Sequence, residues 1–134
     1  MLNQTVEYAL RAVIYVARDP SASFRAAEVA SEISAPRNYV AKILSQLVRA
    51  GILESVRGPS GGFRLSKKPA AVHLSDVVGA FGRPAERRCL LGHGVCGNNP
   101  SCGAHRRWAP IAKSLDGFFD DTTIADVLST APLT

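Results

Sequence analysis

Val40, Ile43, Leu44, Leu47 and Val48 recur at i, i+3, i+4, i+7 and i+8, the sharpest helical period in the chain. A helix with so apolar a stripe cannot stand alone, so other elements must pack over it. Gly51 follows as a helix stop, and Pro36 stands ahead as the expected first helical residue, where its missing N–H leaves no bond unmade. Two further amphipathic segments precede it. Val6, Leu10, Val13, Ile14 and Ala17 predict a helix over residues 3–18, ended by Asp19-Pro20-Ser21. Ala26, Val29, Ala30 and Ile33 predict a shorter one over 25–33, broken by Ser34-Ala35-Pro36.

Past Gly51 the period changes. Ile52 to Val56 and Phe63-Arg64-Leu65-Ser66 flank the turn-rich Arg57-Gly58-Pro59-Ser60-Gly61-Gly62, the pattern of a β-hairpin. Leu74, Val77, Val78 and Phe81 predict a helix from His73 to Phe81, and the glycines at 82, 92, 94, 97 and 103 predict a loop over 82–103. A last long helix over 104–119 carries Ala104, Trp108, Ile111, Leu115, Phe118 and Phe119, with Pro110 expected to bend it or to mark its true first turn. Thr123 to Asp126 reads as a capping box for a short terminal helix. With 134 residues, 46% of them apolar, the chain has material for one core and an appendage.

The expected fold class is mainly α with a small β-hairpin: a winged helix-turn-helix over 1–68, a linking helix and cysteine-containing loop over 69–103, and a long dimerisation helix with a C-terminal helix over 104–134. A face as apolar as that of Trp108, Ile111, Leu115, Phe118 and Phe119 calls for a partner, and a second copy of the same helix is the expected one.

Charge is divided unevenly. Residues 1–68 hold ten Lys and Arg against five Asp and Glu, and residues 69–134 hold six of each, so the whole +5 lies in the first half. That is the footprint of a nucleic-acid reader, since neutralising phosphates supplies most non-specific affinity. In a winged helix-turn-helix the helix after the turn enters the major groove of double-stranded DNA. Its outward face here is Arg37, Asn38, Ala41, Lys42 and Ser45. Arg can pair with guanine, Asn with adenine, and Lys42 with a phosphate. Arg57, beside a glycine turn that lets the backbone come close, is suited to a narrow minor groove. The first apolar stretch is interrupted by Glu7 and Arg11, and no run approaches the roughly 20 apolar residues of a membrane span. A cytoplasmic protein without a membrane role is expected.

Three cysteines fall within fourteen residues, with six residues between Cys89 and Cys96 and five between Cys96 and Cys102. In a reducing compartment this points to metal or redox chemistry more than to disulfides. By spacing alone, iron–sulfur ligation and zinc stand level, and buried free thiols are a third possibility. Enzyme motifs are missing. Gly92-His93-Gly94-Val95-Cys96-Gly97 matches the dinucleotide fingerprint, but no strand precedes it, and no acid–base pair accompanies the cysteines. His73 reads as structural.

Tyr39-Val40-Ala41-Lys42-Ile43-Leu44-Ser45-Gln46-Leu47, then Gly51-Ile52-Leu53, then Ser55-Val56-Arg57-Gly58-Pro59-Ser60-Gly61-Gly62-Phe63, resembles the Rrf2 family of bacterial regulators, the IscR- and NsrR-type iron–sulfur proteins. The resemblance runs over nearly the whole chain, and the Val-Arg-Gly-Pro-x-Gly-Gly wing is its most specific part. It implies a homodimeric transcription regulator, in the first instance a repressor, on near-palindromic operators. Carried over by position, it implies DNA contacts at Tyr39, Lys42 and Arg57, and Gly58, Ser60 and Gly61 of the wing are expected DNA-binding residues beside them. It implies an iron–sulfur cluster on Cys89, Cys96 and Cys102. Six residues in the first gap, where the family commonly has five, leave 2Fe-2S and 4Fe-4S both open. For the fourth ligand the resemblance offers His105, which follows Cys102 after two residues, or Glu7 of the partner subunit, with His93 third. The cluster-free alternative makes the cysteines a thiol switch or a zinc site.

Overall fold

The computed structural model describes residues 3–82 and 103–129. Helix α1 (Gln4–Ala17) opens with the Asn3 side chain accepting the Val6 N–H at 2.9 Å, and it buries Val6, Ala9, Ala12, Val13, Val16 and Ala17 on one face. Helix α2 (Ala26–Ile33) ends at Ser34, which takes the left-handed conformation at φ 55° and turns the chain sharply into α3 (Arg37–Arg49). Pro36 caps α3 instead of opening it. Its ψ of 131° keeps it extended, while its carbonyl already accepts the Val40 N–H at 3.0 Å.

Gly51 ends α3 as expected from the sequence. At φ 81° it donates to Val48 O, and Ile52 donates to Leu47 O, both at 3.0 Å, so the last carbonyls are satisfied by a Schellman pair. Ile52 and Leu47 are both buried at this joint.

Strands β1 (Leu53–Val56) and β2 (Gly62–Leu65) pair antiparallel, Leu53 with Leu65 and Val56 with Gly62. Across the exposed face Arg64 and Glu54 form an ion pair at 2.6 Å. Phe24, just before α2, adds a third point of pairing: Phe24 and Phe63 exchange N–H···O bonds of 2.9 and 2.8 Å. Two or three residues carry no strand periodicity, which is why the sequence does not announce this bridge.

A single 3-10 turn (Pro69–Ala71) leads to α4 (Leu74–Gly79), whose Asp76 carboxylate accepts the His73 N–H at 2.9 Å. Helix α5 (His105–Asp121) begins well before Pro110, so the proline is interior and not its first turn. The Arg106 carbonyl consequently lacks its usual intrahelical donor. Helix α6 (Ile124–Ser129) returns to the segment that opens α4: Leu74 donates to Thr122 O at 2.9 Å and Ile124 to Val72 O at 2.8 Å. Ile124 is fully buried among the same residues as Val13, Val40, Leu44, Leu47 and Val77. One core therefore joins the ends of the described chain, with each fully buried Val, Ile or Leu contributing about 1.5–3 kcal/mol as an upper estimate.

The Thr123–Asp126 capping box is present: Asp126 accepts the Thr123 N–H at 2.9 Å, and the Asp126 N–H bonds the Thr123 hydroxyl at 3.1 Å. The bond from the Thr123 N–H holds the Asp126 carboxyl below the usual carboxylate range. A carboxyl depressed in the folded state stabilises above its unfolded pKa of about 3.9, and that stabilisation is lost as pH falls through the folded value. Protection of the amides over residues 124–129, relative to their intrinsic exchange, is expected to fall below about pH 4, and Asp126→Asn should remove that acid dependence while lowering protection at neutral pH.

Candidate nucleic-acid interface

The period of α3 divides it cleanly. Val40, Ile43, Leu44 and Leu47 are buried, and Arg37, Asn38, Tyr39, Lys42 and Ser45 are exposed. Arg37 and Asn38 lie in the first turn and Lys42 one turn further along, all on the solvent side. The wing stands beside them. Arg57, Gly58, Pro59 and Ser60 are exposed at its tip, whereas Gly61 is buried inside the turn and donates to Gly58 O at 2.9 Å. Both glycines are needed, for different reasons. Gly58 sits at φ 105°, and a Cβ on Gly61 would meet Val56 O at 2.3 Å. Between α3, the start of α2 and the wing lies an open cleft of about 340 Å³ lined by Arg25, Arg37, Val56, Gly58, Gly61 and Gly62, among others.

Tyr39 does more than face solvent. Its hydroxyl shares a hydrogen bond with the Thr5 hydroxyl, and its ring meets Tyr8 edge-on at 5.7 Å. The Arg11 guanidinium lies 6.0 Å from the Tyr8 ring. Helix α3 is thus braced against α1 at its N-terminal end. At its other end, Gln46 Nε2 donates to Ala80 O at 3.0 Å, the C-cap of α4. Thr5, Tyr8 and Gln46 escaped the sequence reading because a polar residue on a helix flank gives the same pattern whether it bridges two helices or meets water. Arg25 escaped it too, as a lone cation at a helix start.

Cys89, Cys96, Cys102 and His93 lie outside the described residues. Of the proposed fourth ligands, His105 is the first residue of α5, and Glu7 is exposed in the first turn of α1. Among the described residues no group of three or more His, Cys, Asp or Glu comes together as a metal site. No helix among them is long and apolar enough to cross a membrane. The five residues expected on the dimer face divide. Ile111 and Phe118 are 54% and 53% exposed, Trp108 and Leu115 are half-buried, and Phe119 packs against the core of its own subunit.

The model of the family described as Rrf2, iron-dependent transcriptional regulator, matches residues 2–130. The chain belongs to the Rrf2 family. A protein of Aquifex aeolicus (strain VF5), named as an HTH-type transcriptional regulator, is 33% identical over 133 residues, covering 96% of this chain and 92% of that protein. Among solved structures, CymR (YrzC), the global cysteine regulator of B. subtilis, superposes with a TM-score of 0.82 at 21% identity over 98% of each chain. T. potens IscR does so with 0.77 at 19% identity, over 98% of this chain and 93% of that one. Those two likenesses establish the winged-helix fold.

This Rrf2 protein is therefore a transcriptional regulator and not an enzyme.

Proposed function

We propose that this Rrf2 regulator works as a homodimer on a near-palindromic operator and acts as a repressor. Arg37 and Asn38 read base edges in the major groove, Tyr39 and Lys42 contact the backbone, and Arg57 enters the minor groove from a wing shaped by Gly58, Ser60 and Gly61. The observation that carries this is the set of exposed cations on the reading helix and wing tip, Arg37, Lys42 and Arg57, which have no carboxylate partner among the described residues, whereas Arg64 further back on the hairpin is paired with Glu54. Dimerisation through Ile111 and Phe118 of α5, with Trp108 and Leu115 beside them, spaces two such faces about one turn of DNA apart.

Operator affinity is set, in this reading, by an iron–sulfur cluster on Cys89, Cys96 and Cys102, with His105 or Glu7 of the partner subunit as fourth ligand. Thiolates supply the soft donors such a cluster needs, and an imidazole would raise its reduction potential relative to four thiolates. Support comes from the iron-dependent character of the family and from the route available to such a signal. Residues 83–102 start from the end of α4, which is the element Gln46 ties to α3.

Protein purified without oxygen should be brown, and its affinity for an operator selected from a duplex pool should differ at least tenfold between cluster-loaded and stripped dimers. Equal affinities would end cluster control. A colourless protein whose affinity follows thiol oxidation or zinc would favour the cluster-free reading, and indifference to duplex DNA at low ionic strength would overturn the whole proposal.

A further inference from the structure

Arg25 sits where three things meet: the last residue before α2, the wing and the reading helix. Its Nη2 donates to Pro59 O at 2.8 Å, across a sequence separation of 34, so one corner of the guanidinium is fixed on the wing tip. Its neighbour Phe24 is bonded to Phe63 of β2 through both backbone groups, so the chain that carries Arg25 is tied to the hairpin at its base as well. Arg25 and Arg37 both line the open cleft of about 340 Å³ between the start of α2, α3 and the wing.

The chemistry of that cleft is one-sided. Two arginines line it, and no acidic residue does. Both arginines are exposed, and neither forms an ion pair among the described residues. Glu28, the nearest carboxylate in sequence, turns back onto the Arg25 backbone N–H at 3.4 Å and is not among the lining residues. Gly58, Gly61 and Gly62 line the cleft together with Val56, Phe63 and two alanines, none of which carries a charge. A planar fork of N–H donors in a cleft without an acidic side chain suits a phosphodiester, which presents two anionic oxygens to a bidentate donor. The cleft also lies between the helix assigned to the major groove and the wing assigned to the minor groove, and the sugar–phosphate backbone is what separates those grooves.

We infer that Arg25 seats one backbone phosphate of the bound duplex in the cleft between reading helix and wing, beside the base-reading Arg37, and sets the distance between the two reading elements. The assignment rests on the DNA-binding reading above and adds to it a contact that fixes register without reading sequence.

The test uses full-length dimer and fluorescence anisotropy on operator duplex and on an unrelated duplex, across a series of salt concentrations. Arg25→Gln removes the charge, and Arg25→Lys keeps it. For Arg25→Gln the slope of log affinity against log salt should shrink by about one per subunit, about two per dimer, with affinity down about tenfold per subunit on both duplexes alike. Arg25→Lys should restore the slope. A Gln variant that loses affinity with its slope intact would reduce Arg25 to a brace for the wing and overturn the phosphate seat, as would a variant indistinguishable from wild type. These outcomes are separable from failure of the functional reading, in which wild-type protein itself would show no salt-dependent duplex binding. Because Arg25 is exposed, unchanged circular dichroism is expected in both variants.

Discussion

Gly61→Ala should abolish tight operator binding while leaving the helical core folded. The new methyl would lie 2.3 Å from Val56 O, 2.8 Å from Gly58 O and 3.0 Å from Arg57 C, and all three are backbone atoms of the same turn. No side chain can swing aside, so the turn itself has to open, at a cost of about 1–3 kcal/mol typical of an overpacked site. Opening it breaks the Gly61 N–H bond to Gly58 O and moves the tip that carries Arg57. Operator affinity should fall about a hundredfold, equivalent to roughly 2.7 kcal/mol, with the melting temperature lowered by only a few degrees. Gly58→Ala is the informative contrast. A Cβ there meets nothing within 4 Å, so its penalty comes from the φ of 105° alone and should be about 1–2 kcal/mol. Were Gly61→Ala to bind the operator as tightly as wild type, the closed form of the wing would play no part in recognition.

The same turn shows what a sequence can convey. Its glycines stand out as letters, and their spacing marks a hairpin, but which glycine needs freedom of φ and which needs empty space is a three-dimensional question. Gly58 has the unusual dihedral, and Gly61 has the crowded surroundings. Helix α3 was legible because its burial repeats with the helical period, so that Val40, Ile43, Leu44 and Leu47 declare both the core and, by subtraction, the exposed face. Long-range polar contacts have no period. The Thr5–Tyr39 bond, the Gln46–Ala80 bond and the Phe24–Phe63 bridge each join residues 34 or more positions apart, and nothing local in the chain records them. Pro36 illustrates a smaller limit. Its fixed φ suits both the cap and the first turn, and only its ψ of 131° separates the two. Apolar character along α5 likewise does not distinguish Phe119, which packs against the core of its own chain, from the exposed Phe118.

That distinction makes the largest functional effect predictable. Ile111 and Phe118 are seven residues apart, two helical turns, and so project from the same side of α5, while Ala112 on another side is buried. Large side chains more than half exposed on one stripe are what a subunit interface looks like before its partner arrives. Covering the exposed half of one such side chain contributes half of about 1.5–3 kcal/mol, so four of them across a symmetric pair supply about 3–6 kcal/mol gross. Replacing both with Glu removes this contribution and brings four like charges together across the two-fold axis. The double variant Ile111→Glu/Phe118→Glu should therefore sediment as a folded monomer with wild-type circular dichroism. Each monomer would still carry an intact reading helix and wing. What disappears is the linkage between half-sites, which is worth a factor of about 10²–10⁴ in avidity, so operator affinity should fall by at least a hundredfold while the weak, salt-dependent affinity for unrelated duplex persists. A double variant that remained dimeric would move the interface off this face of α5, and one that became monomeric yet kept full operator affinity would show that a single reading head suffices.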